Sequence, residues 1–227
     1  STTTTRYPAD GSPARRFTFL YLIPRVRRMF YSPNWSKLLE YNLRPVKPPA
    51  GWICDVLDGA AYKRVFGPGP GQIPISKYNL AWSFGADGLP ISQRDKTYSV
   101  TPLLFHLCSL CPWLRCLWDY LFCAGFTPGP GKNNIAVFLQ QVAEEFERAW
   151  RIGFYCWDVM TGLWHLVKMV LLFGVFDLRG TAAITDGNQS PALVHCHLCD
   201  LTGEYLKPYK ATYYNGDWTH LPDACPL

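Results

Sequence analysis

From Val167 to Phe176 the chain runs through ten residues with a single charge, Lys168. The run is too short to cross a bilayer, which takes about 20 apolar residues. It reads instead as a central strand buried on both faces of a sheet. Such a strand needs neighbours on both edges and layers on both faces, which points to an α/β architecture. A second apolar stretch, Leu103–Phe126, is broken by His106, Pro112, Arg115 and Asp119, so it fails as a lipid-facing helix. No membrane partner is expected.

The rest of the pattern gives the neighbours. Tyr78–Phe84, Tyr98–Leu107 and Leu114–Phe126 read as three strands, the last two joined by a turn at Cys111-Pro112. Asn134 is placed to cap a helix through about Arg151, with Ile135, Phe138, Leu139, Val142, Phe146 and Ala149 on one face. Phe154–Trp157 and Leu163–His165 flank a turn at Met160-Thr161-Gly162. Upstream, residues 24–43 carry a helical pattern divided by Ser32-Pro33-Asn34, and Ile53–Arg64 fits another short helix starting near Asp55 or Asp58.

The expected order is therefore three antiparallel strands, a helix, then a strand parallel to the first. That is the order of the ribonuclease-H-like fold, a mixed sheet in which the first and fourth strands are neighbours. It would bring together the ends of two strands followed by Asp87 and Asp177, 90 residues apart. Paired carboxylates can hold hard cations such as Mg²⁺ for two-metal phosphoryl transfer. An Asp-Gly turn at Asp87-Gly88 and a helix cap at Asp177 are the alternative uses.

Charge is uneven. The net charge is +5, yet residues 1–50 hold nine lysines and arginines against two acids, leaving the remainder slightly negative. Arg25, Arg27, Arg28 and Lys37, interleaved with Phe30, Tyr31 and Trp35, are candidate phosphate contacts. A solvated helix face is the competing reading. Nine cysteines, an odd number set mostly in apolar runs without a signal peptide, favour a reducing compartment. Cys196-x2-Cys199, beside His195 and His197, offers half of a tetrahedral Zn²⁺ site, with His220 and Cys225 as further ligands. Cys108 and Cys111 share the spacing but sit in apolar sequence and read as core. Gly125 to Asn133 imitates a phosphate loop, but five residues separate Gly125 from Gly131 and Asn133 replaces the Ser or Thr that would follow Lys132.

Ordered pieces of the chain carry a resemblance. They are Phe19–Phe30, Asp58-Gly59-Ala60-Ala61-Tyr62, Leu80 through Asp87-Gly88, Leu110-Cys111-Pro112-Trp113-Leu114-Arg115, Thr127-Pro128-Gly129-Pro130, Val137-Phe138-Leu139, Val175-Phe176-Asp177 and Cys196-His197-Leu198-Cys199. Over about residues 17–220 the set resembles the transposase of CACTA-type (En/Spm) DNA transposons, in a plant- or fungal-like version. The resemblance implies a DDE transposase with a ribonuclease-H-like core and three acidic ligands for Mg²⁺ or Mn²⁺. Asp87 and Asp177 match the first two acids. The third, a Glu after a large insertion, would lie beyond Leu227, so a fragment or decayed copy is expected. Leu89-Pro90-Ile91-Ser92 and Leu178-Arg179-Gly180 depart from the family's usual continuations.

The resulting expectation is a disordered lead over 1–16, a basic helical segment over 17–66, an incomplete core over 76–200 and a zinc-binding tail over 195–227. The partner would be DNA at transposon ends, with homo-oligomerisation and a nuclear location. A non-catalytic DNA- or protein-binding remnant of the same fold is the alternative.

Overall fold

The structure, a computed structural model, describes residues 2–3, 16–43, 48–90, 99–127, 135–177, 181, 184 and 204–213. Contacts divide the chain into two units, Ser1–Val175 and Phe176–Leu227. The division falls inside the segment 76–200 expected to form one core.

The first unit is built on a curled mixed sheet. Its long strands are β1 (Asn79–Ala86), β2 (Ser99–Leu107), β3 (Leu121–Thr127), β4 (Phe154–Asp158) and β5 (Leu163–Val175). They lie in the order β3-β2-β1-β5-β4. β1–β2, β2–β3 and β4–β5 pair antiparallel, whereas β1 and β5 run parallel from Asn79 opposite Lys168 to Gly85 opposite Val175. The meander and the parallel pair agree with the sequence pattern. β4 does not: it adds an antiparallel edge strand between the helix and the parallel strand. The apolar run is also the second half of one longer strand that begins at Leu163.

Among the described residues five α-helices accompany the sheet: α1 (Leu22–Phe30), α2 (Pro33–Leu38), α3 (Ala60–Val65), α4 (Pro112–Arg115) and α5 (Ile135–Arg151). Trp82, Phe84, Phe105 and Phe122 share one sheet face. Phe146 of α5 packs on it, 6.2 Å from Trp82 and 5.5 Å from Phe105 between ring centres. α1 buries Leu22, Val26, Met29 and Phe30 and packs against β4 and α5. On the opposite face Ala81 and Val170, register partners, join Leu57, Tyr62, Phe66, Ile73 and Cys108 in a second cluster. The helical segment expected to precede the core is thus part of it, covering both faces.

Leu114–Tyr120 is not strand, contrary to the sequence pattern. Pro112 opens the one-turn helix α4, where a missing N–H costs nothing, and Trp118–Tyr120 forms a 3-10 turn. Thr2–Thr3, in the lead expected to be disordered, pairs with Arg16–Phe17. Gly125 sits at φ 153°, and a Cβ there would lie 2.6 Å from the Thr18 carbonyl oxygen and 2.7 Å from the Phe17 ring. The glycine of the imitation phosphate loop therefore lets residues 17–20 cross β3, where the Leu20 N–H donates to the Ala124 carbonyl at 2.8 Å. The second unit contains a hairpin of Glu204–Leu206 with Ala211–Tyr213. No helix among the described residues is long and apolar enough to cross a membrane.

Candidate functional site

The parallel pair ends with Gly85 opposite Val175. Asp87 follows the first by two residues and Asp177 follows the second by two. Asp87 is exposed and lies between two stretches of one ladder. Ala86 faces Leu103, and Leu89 and Pro90 resume the same register opposite Val100 and Ser99. Asp87-Gly88 is thus an unpaired interval within a continued strand rather than a terminal turn. Ala81, Ser83, Gly85 and Asp87 alternate on one side of that strand. His106 of β2 lies opposite Ser83, and its ring stands 3.8 Å from where a Gly85 Cβ would be. Burial and the Arg115 charge push the His106 pKa down. In the second unit, Asp177 is exposed, and its carbonyl accepts both the N–H and the hydroxyl of Thr181 at 2.9 Å.

The basic arm divides by use. The Arg25 guanidinium donates to the Cys123 carbonyl at 2.8 Å and lies 4.8 Å over the Phe122 ring. Burial lowers its pKa, against the pull of Cys123 and Glu145. Arg27 donates through Nε to the Tyr155 carbonyl at 3.1 Å and covers Phe154 at 5.8 Å. Arg28 and Lys37 are exposed. Arg25 is therefore drawn into the fold, Arg27 is exposed but tied to the edge of β4, and Arg28 and Lys37 project into solvent.

The Cys196, Cys199, His220 and Cys225 set, with His195 and His197, lies outside the described residues, as does Lys132. Cys108 and Cys111 are buried, and burial pushes both thiols up, away from the thiolate a metal needs. They belong to the core, as the apolar sequence around them implies. Among the described residues no group of three or more His, Cys, Asp or Glu could hold a metal ion.

Two buried ionic centres escaped the sequence reading. Asp158, 0% exposed, ends β4. Its carboxylate takes the Lys77 ammonium at 2.7 Å, the Ser36 hydroxyl at 2.7 Å, the Tyr78 hydroxyl at 2.9 Å and the Met160 N–H at 2.9 Å. Burial alone would raise its pKa, but these donors overcome it and bring the carboxyl down to about 2. His165 stacks on Tyr78 at 4.0 Å and shares a 2.8 Å hydrogen bond with Thr161. It is a half-buried residue held by this stacking.

The second centre is Asp55, gripped by both terminal nitrogens of Arg115 at 3.1 and 3.0 Å and by the Tyr41 hydroxyl at 2.7 Å. Arg115 also donates to the carbonyls of Cys108 and Leu110. Asp58 accepts the N–H groups of Cys54 and Asp55 at 3.0 and 2.9 Å. Two of the quoted sequence pieces, those beginning at Asp58 and at Leu110, thus meet around one buried ion pair. A polar residue inside an apolar stretch, Arg115, was the available signal.

Comparison with family models matches residues 58–223 to a family described as Transposase family tnp2. No curated protein matches the chain. The matched segment opens at Asp58, spans the whole sheet and passes beyond Asp177, most of the sequence. The chain belongs to the tnp2 transposase family.

Proposed function

We propose that this chain carries part of a DDE-type, CACTA-like DNA-cleaving centre on a ribonuclease-H-like sheet, with Asp87 and Asp177 as two of its acids. The observation that supports it is the parallel register of β1 and β5, whose partnered ends Gly85 and Val175 each precede one of these carboxylates by two residues. Exposed aspartates are hard oxygen donors of the kind Mg²⁺ or Mn²⁺ prefers. Bound there, such an ion would activate a water or 3′-hydroxyl and stabilise the leaving oxygen in phosphodiester cleavage and strand transfer. The chain's own contribution is positional. The ladder on both sides of Asp87-Gly88 holds that segment in register, and Gly85 leaves the sheet surface between Asp87 and His106 low. The reaction requires a third carboxylate besides these two.

The partner on this reading is DNA at transposon ends, with Arg28 and Lys37 exposed for phosphate contact. Zn²⁺ at Cys196 and Cys199, homo-oligomerisation and a nuclear location belong to the same proposal. A non-catalytic DNA-binding remnant is the second reading. It is favoured by Leu89-Pro90, which carries the ladder on past Asp87, and by Leu178-Arg179-Gly180 after Asp177.

Mn²⁺ titration of the whole chain, followed by electron paramagnetic resonance, separates the two. The catalytic reading expects a bound Mn²⁺ signal that disappears in Asp87→Asn and weakens in Asp177→Asn while circular dichroism is unchanged. Equal Mn²⁺ binding by all three proteins removes it. Elemental analysis tests the tail: one equivalent of zinc, lost in Cys196→Ser/Cys199→Ser, supports the zinc site, and zinc-free folded protein refutes it.

A further inference from the structure

The edge hairpin β4–β5 has two unlike faces. Phe154, Cys156 and Asp158 are buried beneath it. The alternate side chains face outward: Tyr155 opposite Leu166 and Trp157 opposite Trp164. Tyr155 and Trp164 are each 60% exposed, and the two indole rings stand 5.8 Å apart at 67°. Lys168, two residues beyond Leu166, shares this face. The cluster on the same face at Ala81 and Val170, roofed by Leu57, Tyr62 and Phe66, does not include these residues.

The charges around the platform favour one kind of occupant. Between Ile152 and Phe176 the only carboxylate is Asp158, and it is buried against Lys77. Lys168 has no acidic partner among the described residues. Arg27 donates to the Tyr155 carbonyl from the other side of the hairpin, where its guanidinium lies over the buried Phe154 ring, so Lys168 is the cation of this face. An anionic ligand with flat faces meets both features. Unstacked bases lie on aromatic rings while phosphates take the cations. A duplex offers phosphates but keeps its base faces stacked away.

We infer that the Tyr155-Trp157-Trp164-Leu166 face, with Lys168, binds single-stranded DNA by base stacking. This rests on the DNA-binding reading above and adds a second contact to it. Trp164 stands eleven residues before Val175 on β5, roughly 36 Å of extended strand. The platform therefore takes a stretch of strand distinct from any at Asp87.

The test is anisotropy of a labelled oligothymidylate of about 12 nucleotides, and of a duplex of equal length, with the whole chain. Trp164→Ala should weaken the oligothymidylate roughly ten- to hundred-fold, Trp164→Phe should restore most of the loss, and duplex affinity should stay put. Tyr155→Leu provides a second, independent truncation should Trp164→Ala fold poorly. Duplex binding without oligothymidylate binding, or oligothymidylate affinity indifferent to both truncations, overturns the inference and leaves the DNA reading standing. Failure to bind either DNA overturns both. A shift from dimer to monomer by light scattering, with single-strand affinity unchanged, also overturns it and assigns the face to a second copy of the chain.

Discussion

At the residue scale, Asp158 shows how a carboxylate in an unpromising place becomes structural. It joins α2, through Ser36, and the start of β1, through Lys77 and Tyr78, to the end of β4. Its folded pKa of about 2 lies below its ordinary value of 3.8. The unfolded chain therefore binds the proton more tightly. Asp158 contributes fully above about pH 4, and the contribution is lost as pH falls toward 2. The shift is worth about 2 kcal/mol. Urea midpoints measured across that range should fall steeply in the parent chain and less in Asp158→Asn, which starts lower because Lys77 is left without its counter-charge. An equally steep acid limb in the variant would assign the titration to another group. Arg115 is the complementary case. Arg115→Met strands the buried Asp55 carboxylate and should cost about 3–5 kcal/mol. Arg115→Lys should recover little, since an ammonium cannot reproduce the two-pronged grip, and chemical denaturation of both variants decides it.

At the element scale, α1 depends on a distant residue for its start. Tyr21 precedes it without a capping side chain, and the first turn has no acid. Glu145 of α5 caps it instead, accepting the Leu22 and Ile23 N–H groups at 2.9 and 2.7 Å. Burial pushes the Glu145 carboxyl up, opposed by those two N–H groups and Arg25. Glu145→Ala leaves the two amides unsatisfied and should cost about 1–3 kcal/mol, with hydrogen exchange at Leu22 and Ile23 rising first. Unchanged protection there would mean that the helix start is held by packing alone. Nothing local in either segment announces this cap, because its halves are more than 120 residues apart. The same reason explains which elements were legible. α5 and the meander strands β1 and β2 announce themselves through period, and β5 through its apolar run. Their order was enough to give the parallel β1–β5 pair. Leu114–Tyr120 looked like strand because its apolar residues are dense, but Arg115 turns inward to Asp55, a partner that no window around it contains. Asp87 and Asp177 were legible as residues that follow strands. Periodicity does not say whether a carboxylate there takes a metal or only water.

At the scale of the whole molecule, the placement of positive charge can be separated from its use. The sequence offers a cluster of cations near the N-terminus, and the fold draws Arg25 into contact with Cys123 and Phe122 while Arg28 and Lys37 remain exposed. Only cations that neutralise phosphates release counterions, so only those set the salt dependence of DNA binding. If the proposed arm contacts DNA, Arg28→Ala/Lys37→Ala should weaken binding to any duplex about equally, because phosphates carry no sequence information. The slope of log K against log salt should fall by up to about 1.8, at about 0.9 per lost contact. Arg25→Ala should instead lower the urea midpoint and leave the slope nearly unchanged, because its guanidinium is already committed to the fold. Asp87→Asn removes negative charge on the proposed phosphate path and should leave salt-dependent binding intact or slightly tighter. It should abolish any Mg²⁺-dependent part if a metal joins Asp87 to DNA. Anisotropy titrations over a salt series measure all four proteins. An Arg28/Lys37 variant with the parent slope would make the arm a solvated surface, and the tnp2 relationship would then describe the origin of the fold without a present DNA contact at that arm.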